Sequence, residues 1–378
     1  MKLKLSRRGR WAVPGGAIVV AAGVIAAVQI PAAQAAPDLP GKTPAQLLAS
    51  VASERTVPPM TGTVVETASL GLPQLPQTGN QSSLTSLLTG SHTVKVYYQD
   101  ASHFRLAVPQ PQAETDLIAD GTKLWLWQSA SDSVTEFTGK AAQAEKKQVP
   151  AAAVLTPQQA ASQVLAAVGS TTLVSVQANV MVAGEPAYQL VLAPKDSRSL
   201  VGRVVIAVDG KYGVPLRVQL FAKGASSPAF QVGYTDVQFV APSAANFTFT
   251  PPSGVPVDHV NLAGQAGKSS AAKPLATGVG SYGHSWLTVV SFPQADLTSG
   301  FSGGGKPSDA YSANSQGVGV SPQELLSALL GSAKPVSGSW GSGTLVTSSL
   351  VSMLVTNGEV YVGAVQPSVL YAAVGHTS

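Results

Sequence analysis

The feature that most constrains this chain is a two-residue period that begins near Thr93 and recurs, segment after segment, to about Val240. Val94, Val96 and Tyr98 alternate with Thr93, Lys95 and Tyr97, while Phe104, Leu106 and Val108 alternate with His103 and Arg105. Alternation of this kind sends apolar side chains to one face and polar ones to the other, so it predicts half-buried strands. Similar segments predict strands over 61–69, 114–119, 122–128, 133–137, 173–182, 188–192, 204–208, 216–221 and 230–240. Turns are expected at Asp120-Gly121, Gly184, Asp209-Gly210 and Gly224. Two helices interrupt the pattern. Thr43-Pro44 opens one that runs to about Glu54, and Thr156-Pro157 opens a second that Gly169 stops; each start is a capping residue followed by proline at the first helical position. About ten strands and two helices, with no regular alternation between them, exclude a parallel nucleotide-binding sheet. They predict a mainly β, α+β architecture, an antiparallel sheet wrapped around helical elements.

Composition agrees with many strands and turns. Of 378 residues, 11% are charged and 44% hydrophobic, with 37 glycines and 27 prolines, which is neither a coiled coil nor a charged disordered chain. The basic balance, 23 Lys and Arg against 19 Asp and Glu, is local. Lys2, Lys4, Arg7, Arg8 and Arg10 precede the first acid, Asp38, and without them 18 basic residues face 19 acidic ones. That basic start leads into an apolar run from Ala12 to Val28 and then Ala33-Gln34-Ala35-Ala36, the three parts of a secretory signal. Residues 1–36 are therefore expected to be a signal peptide and the protein to be exported to a periplasm-like space or cell envelope. An uncleaved membrane anchor is the alternative, since the apolar run approaches the length of a span. With no cysteine in the sequence, the exported chain has neither disulfides nor an acylated lipobox residue.

Beyond the leader, 37–260 is expected to form the sheet domain. Within it the segment 71–90, rich in Pro, Gly, Gln and Ser, is expected to be a loop carrying one helical turn. Residues 261–283, rich in Gly, Ala, Ser and Lys, are expected to be a linker. Residues 284–378 are expected to be a small C-terminal α+β extension, with a strand at 285–292, a helix from Ser321-Pro322 to Leu330, and a hairpin of 344–356 and 359–365 about Asn357-Gly358.

Two stretches resemble a known family. Leu117-Ile118-Ala119-Asp120-Gly121-Thr122-Lys123-Leu124-Trp125-Leu126-Trp127 looks like the apolar strand, Asp-Gly turn and Leu-aromatic strand of the LolA family of periplasmic lipoprotein carriers. Asn246-Phe247-Thr248-Phe249-Thr250-Pro251-Pro252-Ser253-Gly254-Val255 is similar to that family's closing segment. The resemblance implies a roughly eleven-stranded, half-open antiparallel β-barrel, with helices as a lid over an apolar cavity that takes acyl chains. The same fold serves a regulator that senses lipoproteins and restrains an envelope-stress anti-sigma factor, and mycobacterial lipoproteins that carry complex lipids. Arg105 lies in the strand region where carriers hold the lid through an arginine. The chain departs from the family in its long 71–90 segment and its tail of about a hundred residues.

On this resemblance the acyl cavity would be lined by Val94, Val96, Tyr98, Phe104, Leu106, Trp125, Trp127, Leu190, Leu192 and Val218, with Arg105 as a lid contact. Each buried methylene is worth about 0.8 kcal/mol, so a chain of about fifteen would gain on the order of 12 kcal/mol before ordering costs. The bland alternative is that each of these residues simply fills the barrel. Trp125 and Trp127 share one face of their strand and Leu124 and Leu126 the other, so one pair should face the interior and the other a covering helix. The partners expected are lipid or lipoprotein acyl chains, with no enzymatic activity and no cofactor. The alternative is an envelope-stress sensor of the same fold that acts through contacts with a membrane-bound envelope protein. Gly300-Phe301-Ser302-Gly303-Gly304 matches a nucleophile-elbow string, and Gly300 to Lys306 most of a phosphate loop, but neither has the strand before and helix after that the chemistry needs. His92, His103, His259, His284 and His376 lack metal-ligand spacing. Near-neutral charge beyond the leader and the absence of basic clusters speak against nucleic-acid binding.

Overall fold

The computed structural model describes residues 37–52, 57–69, 89–138, 156–166, 168–261, 279–295, 333–374 and 376. The expected signal peptide, most of the 71–90 segment, the glycine-rich stretch with Ser302 and the expected helix at 321–330 lie outside these residues.

Helices α1 (Pro44–Ala52) and α2 (Pro157–Ala166) begin in the same way. Thr43 Oγ1 accepts from the Gln46 N–H at 3.2 Å while Gln46 Oε1 accepts from the Thr43 N–H at 2.9 Å. Thr156 and Gln159 repeat the exchange at 3.3 and 2.9 Å. Each is a capping box, which satisfies two donors that a helix start otherwise leaves open.

Twelve strands build the larger sheet: β1 (Met60–Ser69), β2 (Thr89–Tyr98), β3 (His103–Gln110), β4 (Ala113–Asp120), β5 (Lys123–Gln128), β6 (Ser133–Thr138), β7 (Thr172–Val182), β8 (Glu185–Pro194), β9 (Val201–Asp209), β10 (Pro215–Ala222), β11 (Phe230–Gln238) and β12 (Val257–Asn261). Their order is β12-β6-β5-β4-β3-β2-β1-β11-β10-β9-β8-β7, so β2–β6 and β7–β11 are two local meanders joined by the β1–β11 pair. The edges β7 and β12 do not pair, and the sheet stays open. Every neighbouring pair is antiparallel except β12 with β6, which runs parallel from Val257↔Val134 to Asn261↔Thr138. This strand was not expected. Its five residues carry no clean alternation, and its partner β6 lies six places along the sheet from β11, the strand before it in sequence, which a local pattern cannot specify.

The smaller sheet contains β13 (Gly280–Tyr282), β14 (Val289–Pro293), β15 (Lys334–Gly338), β16 (Gly341–Thr347), β17 (Ser352–Thr356) and β18 (Glu359–Gly363), ordered β13-β14-β18-β17-β16-β15. Helix α3 (Pro367–Ala373) packs Val369, Leu370 and Ala373 against Val289, Leu354 and Tyr361. Asn357 and Gly358 both take positive φ, 52° and 76°, as a two-residue type I′ hairpin requires. The strand expected over 344–356 is two strands, because Ser348 turns the chain: its N–H donates to the Val351 carbonyl at 2.8 Å and its hydroxyl accepts from the Val351 N–H at 3.0 Å. The segment expected as a strand from 285 opens instead with a 3₁₀ turn, Ser285–Leu287.

Both sheets belong to one compact unit. The smaller sheet bonds to one end of the larger, where β7 starts, β8 passes to β9 and β10 ends. Leu200 N–H donates to the Ala364 carbonyl at 2.9 Å and Gln366 N–H to the Arg198 carbonyl at 2.8 Å. Trp286 Nε1–H donates to Thr172 Oγ1 at 2.8 Å, and Thr171 Oγ1 lies 2.8 Å from Ser285 Oγ. At the opposite end of β7 and β8, Asn179 donates to the Pro37 carbonyl at 3.2 Å and the Tyr188 hydroxyl to that of Pro40 at 2.8 Å. Leu39 fills the space beside Gly210, where a Cβ would come within 2.7 Å of it.

Candidate functional site

The site is built from strand parity. Cross-strand partners share a face, so Leu190, Ile206, Val218, Val232 and Glu66 form one row over five strands. Val96, Leu106, Leu117 and Leu126 form another over β2–β5. On this face Val94, Val96, Leu190, Leu192, Ile206, Leu216, Val218 and Val232 are all buried and join one apolar core. Both helices cover it: α1 contributes Leu47, with no exposed surface, and α2 contributes Ala160 and Ala161. Tyr98 and Leu106 pack against the core half-buried. Phe104, the cross-strand partner of Tyr98, shares the face and is half-buried but lies outside that core.

Trp125 and Trp127 are elsewhere. Their partners in the register, Ile118 and Val134, face away from the helices, and the rings pack against Phe249 with centroid distances of 5.5 and 6.3 Å. Val255 and Val257 complete this second cluster. The expected pairing of faces therefore holds, but the cover over the tryptophans is the 247–257 segment and not a helix. Of the ten residues expected to line one cavity, these two stand on the opposite side of the sheet from the rest.

Arg105 is on that outer face too, in the row of Tyr97, Ile118, Trp125, Glu136 and His259. Its guanidinium donates to Glu114 at 3.0 Å and to Asp116, both on β4. Its described partners are strand carboxylates on the side away from α1 and α2, which is not a lid contact. Burial pushes the Asp116 carboxyl up to about 6, helped by a hydrogen bond with Glu114 and opposed by Arg105. Glu136, also buried, is held below the usual carboxylate range, chiefly by the Lys123 ammonium at 2.8 Å and further by His259 Nδ1 at 2.6 Å. These pairs tie β3 to β4, and β6 to both β5 and β12, from outside.

The sequence reading missed Glu66. Only 5% exposed, it sits on the helix-covered face in the row of Val218 and Val232, with His92 as its partner on β2. The signal was present, because Glu66 has the same parity as Val64. A hydroxyl, an imidazole and a carboxylate also meet in the β2–β3 turn. Asp100 accepts from the Ser102 hydroxyl at 2.7 Å and lies 3.1 Å from His103 Nδ1, and the Ser102 hydroxyl is 3.3 Å from that same nitrogen. The Ser102 hydrogen bond foremost lowers the Asp100 carboxyl to about 2. A catalytic relay needs the nucleophile and the orienting carboxylate on opposite nitrogens of the imidazole base, whereas here Ser102 and Asp100 both lie against His103 Nδ1. Among the described residues no group of three or more His, Asp or Glu side chains could hold a metal ion, and no helix is long and apolar enough to cross a membrane.

No protein-family model matches the sequence, and no curated relative matches it. In structure the chain is similar to one from the Pseudomonas aeruginosa MucA/MucB complex, with 12% identity, a TM-score of 0.38, and 88% of this chain and 95% of that one covered. It is also similar to a LolA superfamily protein from Nitrosomonas europaea, with 11% identity, a TM-score of 0.24, and 55% and 99% covered. An uncharacterised conserved protein from Thermus thermophilus aligns with 12% identity, a TM-score of 0.31, and 57% and 99% covered. Likenesses this loose say nothing about activity or partner. The architecture stands on its own strands: among the described residues, an open, twelve-stranded, mainly antiparallel sheet with two helices across one face.

Proposed function

We propose that the protein is an exported, non-enzymatic carrier that takes lipid or lipoprotein acyl chains between the larger sheet and helices α1 and α2. One observation carries this reading: a largely apolar face, interrupted at Glu66, on an unclosed sheet is covered by two short helices that contribute no backbone to the ladder. Such a cover can shift without breaking a strand pair, and an acyl chain taking its place would be held by the hydrophobic effect. The contact set is then Val94, Val96, Tyr98, Leu106, Leu190, Leu192 and Val218, with Phe104 at its margin. Residues 37–261 carry the site, and the extension that docks on its end begins with β13.

The test is native mass spectrometry with lipid extraction on residues 37–378, purified from the native host without detergent. Bound acyl species near one per chain, reduced by Val96→Glu or Leu106→Glu in folded protein, are the expected result. A folded but empty protein would overturn the carrier reading and turn the search to a membrane-bound envelope partner.

A further inference from the structure

The smaller sheet does more than lean on the larger one. Leu350, on the turn between β16 and β17, is 3% exposed and belongs to the core beneath α1 and α2, not to the core of its own sheet. The turn is held rigid for this: the Ser348 hydroxyl accepts from the N–H groups of Leu350 and Val351 at 3.4 and 3.0 Å. Trp286 and Ala364 pack against the same core from the same sheet. The hydrogen bonds that fix the smaller sheet all reach one end of β7–β10, through Thr171, Thr172, Arg198 and Leu200. Leu350 thus joins the apolar layer from a sheet whose hydrogen bonds to the larger one lie at that end.

We infer that Leu350, with Trp286 packed on the same core, is the end wall of the acyl site and sets the chain length that it accepts. This inference rests on the carrier reading and adds a specificity determinant to it. An acyl chain lying along the strands meets Leu350 at the end where the smaller sheet docks. Chains too short leave apolar surface unfilled there, and chains too long must displace a side chain whose turn is braced by two hydrogen bonds. Both mismatches cost affinity.

The test measures binding of dodecanoate, hexadecanoate and eicosanoate by calorimetry to the delipidated wild type, Leu350→Ala and Leu350→Phe. Truncation should move the preferred length upward, with eicosanoate binding roughly tenfold tighter to Leu350→Ala than to the wild type while dodecanoate is little changed. Leu350→Phe should move it downward, with eicosanoate losing about as much. A length profile identical in all three folded proteins would overturn the inference and leave the carrier reading standing. So would a uniform loss across all three acids, which would mark Leu350 as structural packing alone. If the wild type binds none of the acids, the carrier reading fails and the end wall with it.

Discussion

The two faces of the same strands are closed by different means. On β5, Leu124 and Leu126 turn toward the helices while Trp125 and Trp127 turn away. Both faces are apolar, yet only the outer one is fastened by its own backbone. Its cover, the 247–257 segment, runs into β12, which pairs with β6 and is tied by Glu136 to Lys123 and His259. The inner cover consists of helices that meet the sheet through Leu47, Ala160 and Ala161. A face covered by side-chain contact alone can be uncovered at the cost of that contact; a face covered by a paired strand cannot. Hydrophobicity alone would have treated the four residues of β5 alike, and it is the manner of closure that separates a candidate binding face from a sealed one.

The largest expected effect tests whether the inner face also carries the stability of the sheet. Leu192→Ala removes a side chain with no exposed surface and should cost about 2–5 kcal/mol in urea denaturation. A loss below about 1 kcal/mol would mean that the layer under the helices is loosely packed. Next is Arg105→Met, which leaves Asp116 and Glu114 without their cation and should cost about 2 kcal/mol, with binding of an acyl probe unchanged. Weaker probe binding at unaltered stability would return Arg105 to the lid.

The smallest effect concerns pH. Asp116 holds its proton more tightly in the folded chain, with a pKa of about 6, than unfolded, where a carboxyl titrates at ~3.9. Its contribution to stability is therefore full below about pH 4 and lost as pH rises through about 6. Asp116→Asn should lack this loss, so its stability relative to the wild type should rise by about 1–2 kcal/mol between pH 4 and 7. A difference that stays level over that range would show Arg105 to outweigh burial at this carboxyl.

The fold was legible wherever local alternation and capping suffice. The strands of both meanders, the two Thr-Pro helix starts and the Asn357-Gly358 hairpin follow from neighbours in sequence. What escaped depends on distant partners. β12 is a strand only because β6 is available to it, and the break at Ser348 depends on a hydroxyl choosing backbone over ladder. For the site, parity assigned Trp125 and Trp127 to one face but not to which side the helices lie. Glu66 was passed over because a carboxylate in an apolar row reads as an outward residue unless its parity is followed from Val64.

The seam between β1 and β11 carries a consequence for how the molecule comes into being. Its register joins Thr61 to Gln238 and Ala68 to Phe230, so the two ends of the larger sheet domain must meet before either meander shares a common face with the other. Hairpins within each meander close short loops and can form early, whereas this seam waits on the longest loop in the sheet. A chain emerging from its N-terminus would hold β1 unpaired on that side until β11 has followed, and the apolar layer beneath α1 and α2 comes into existence in that last step.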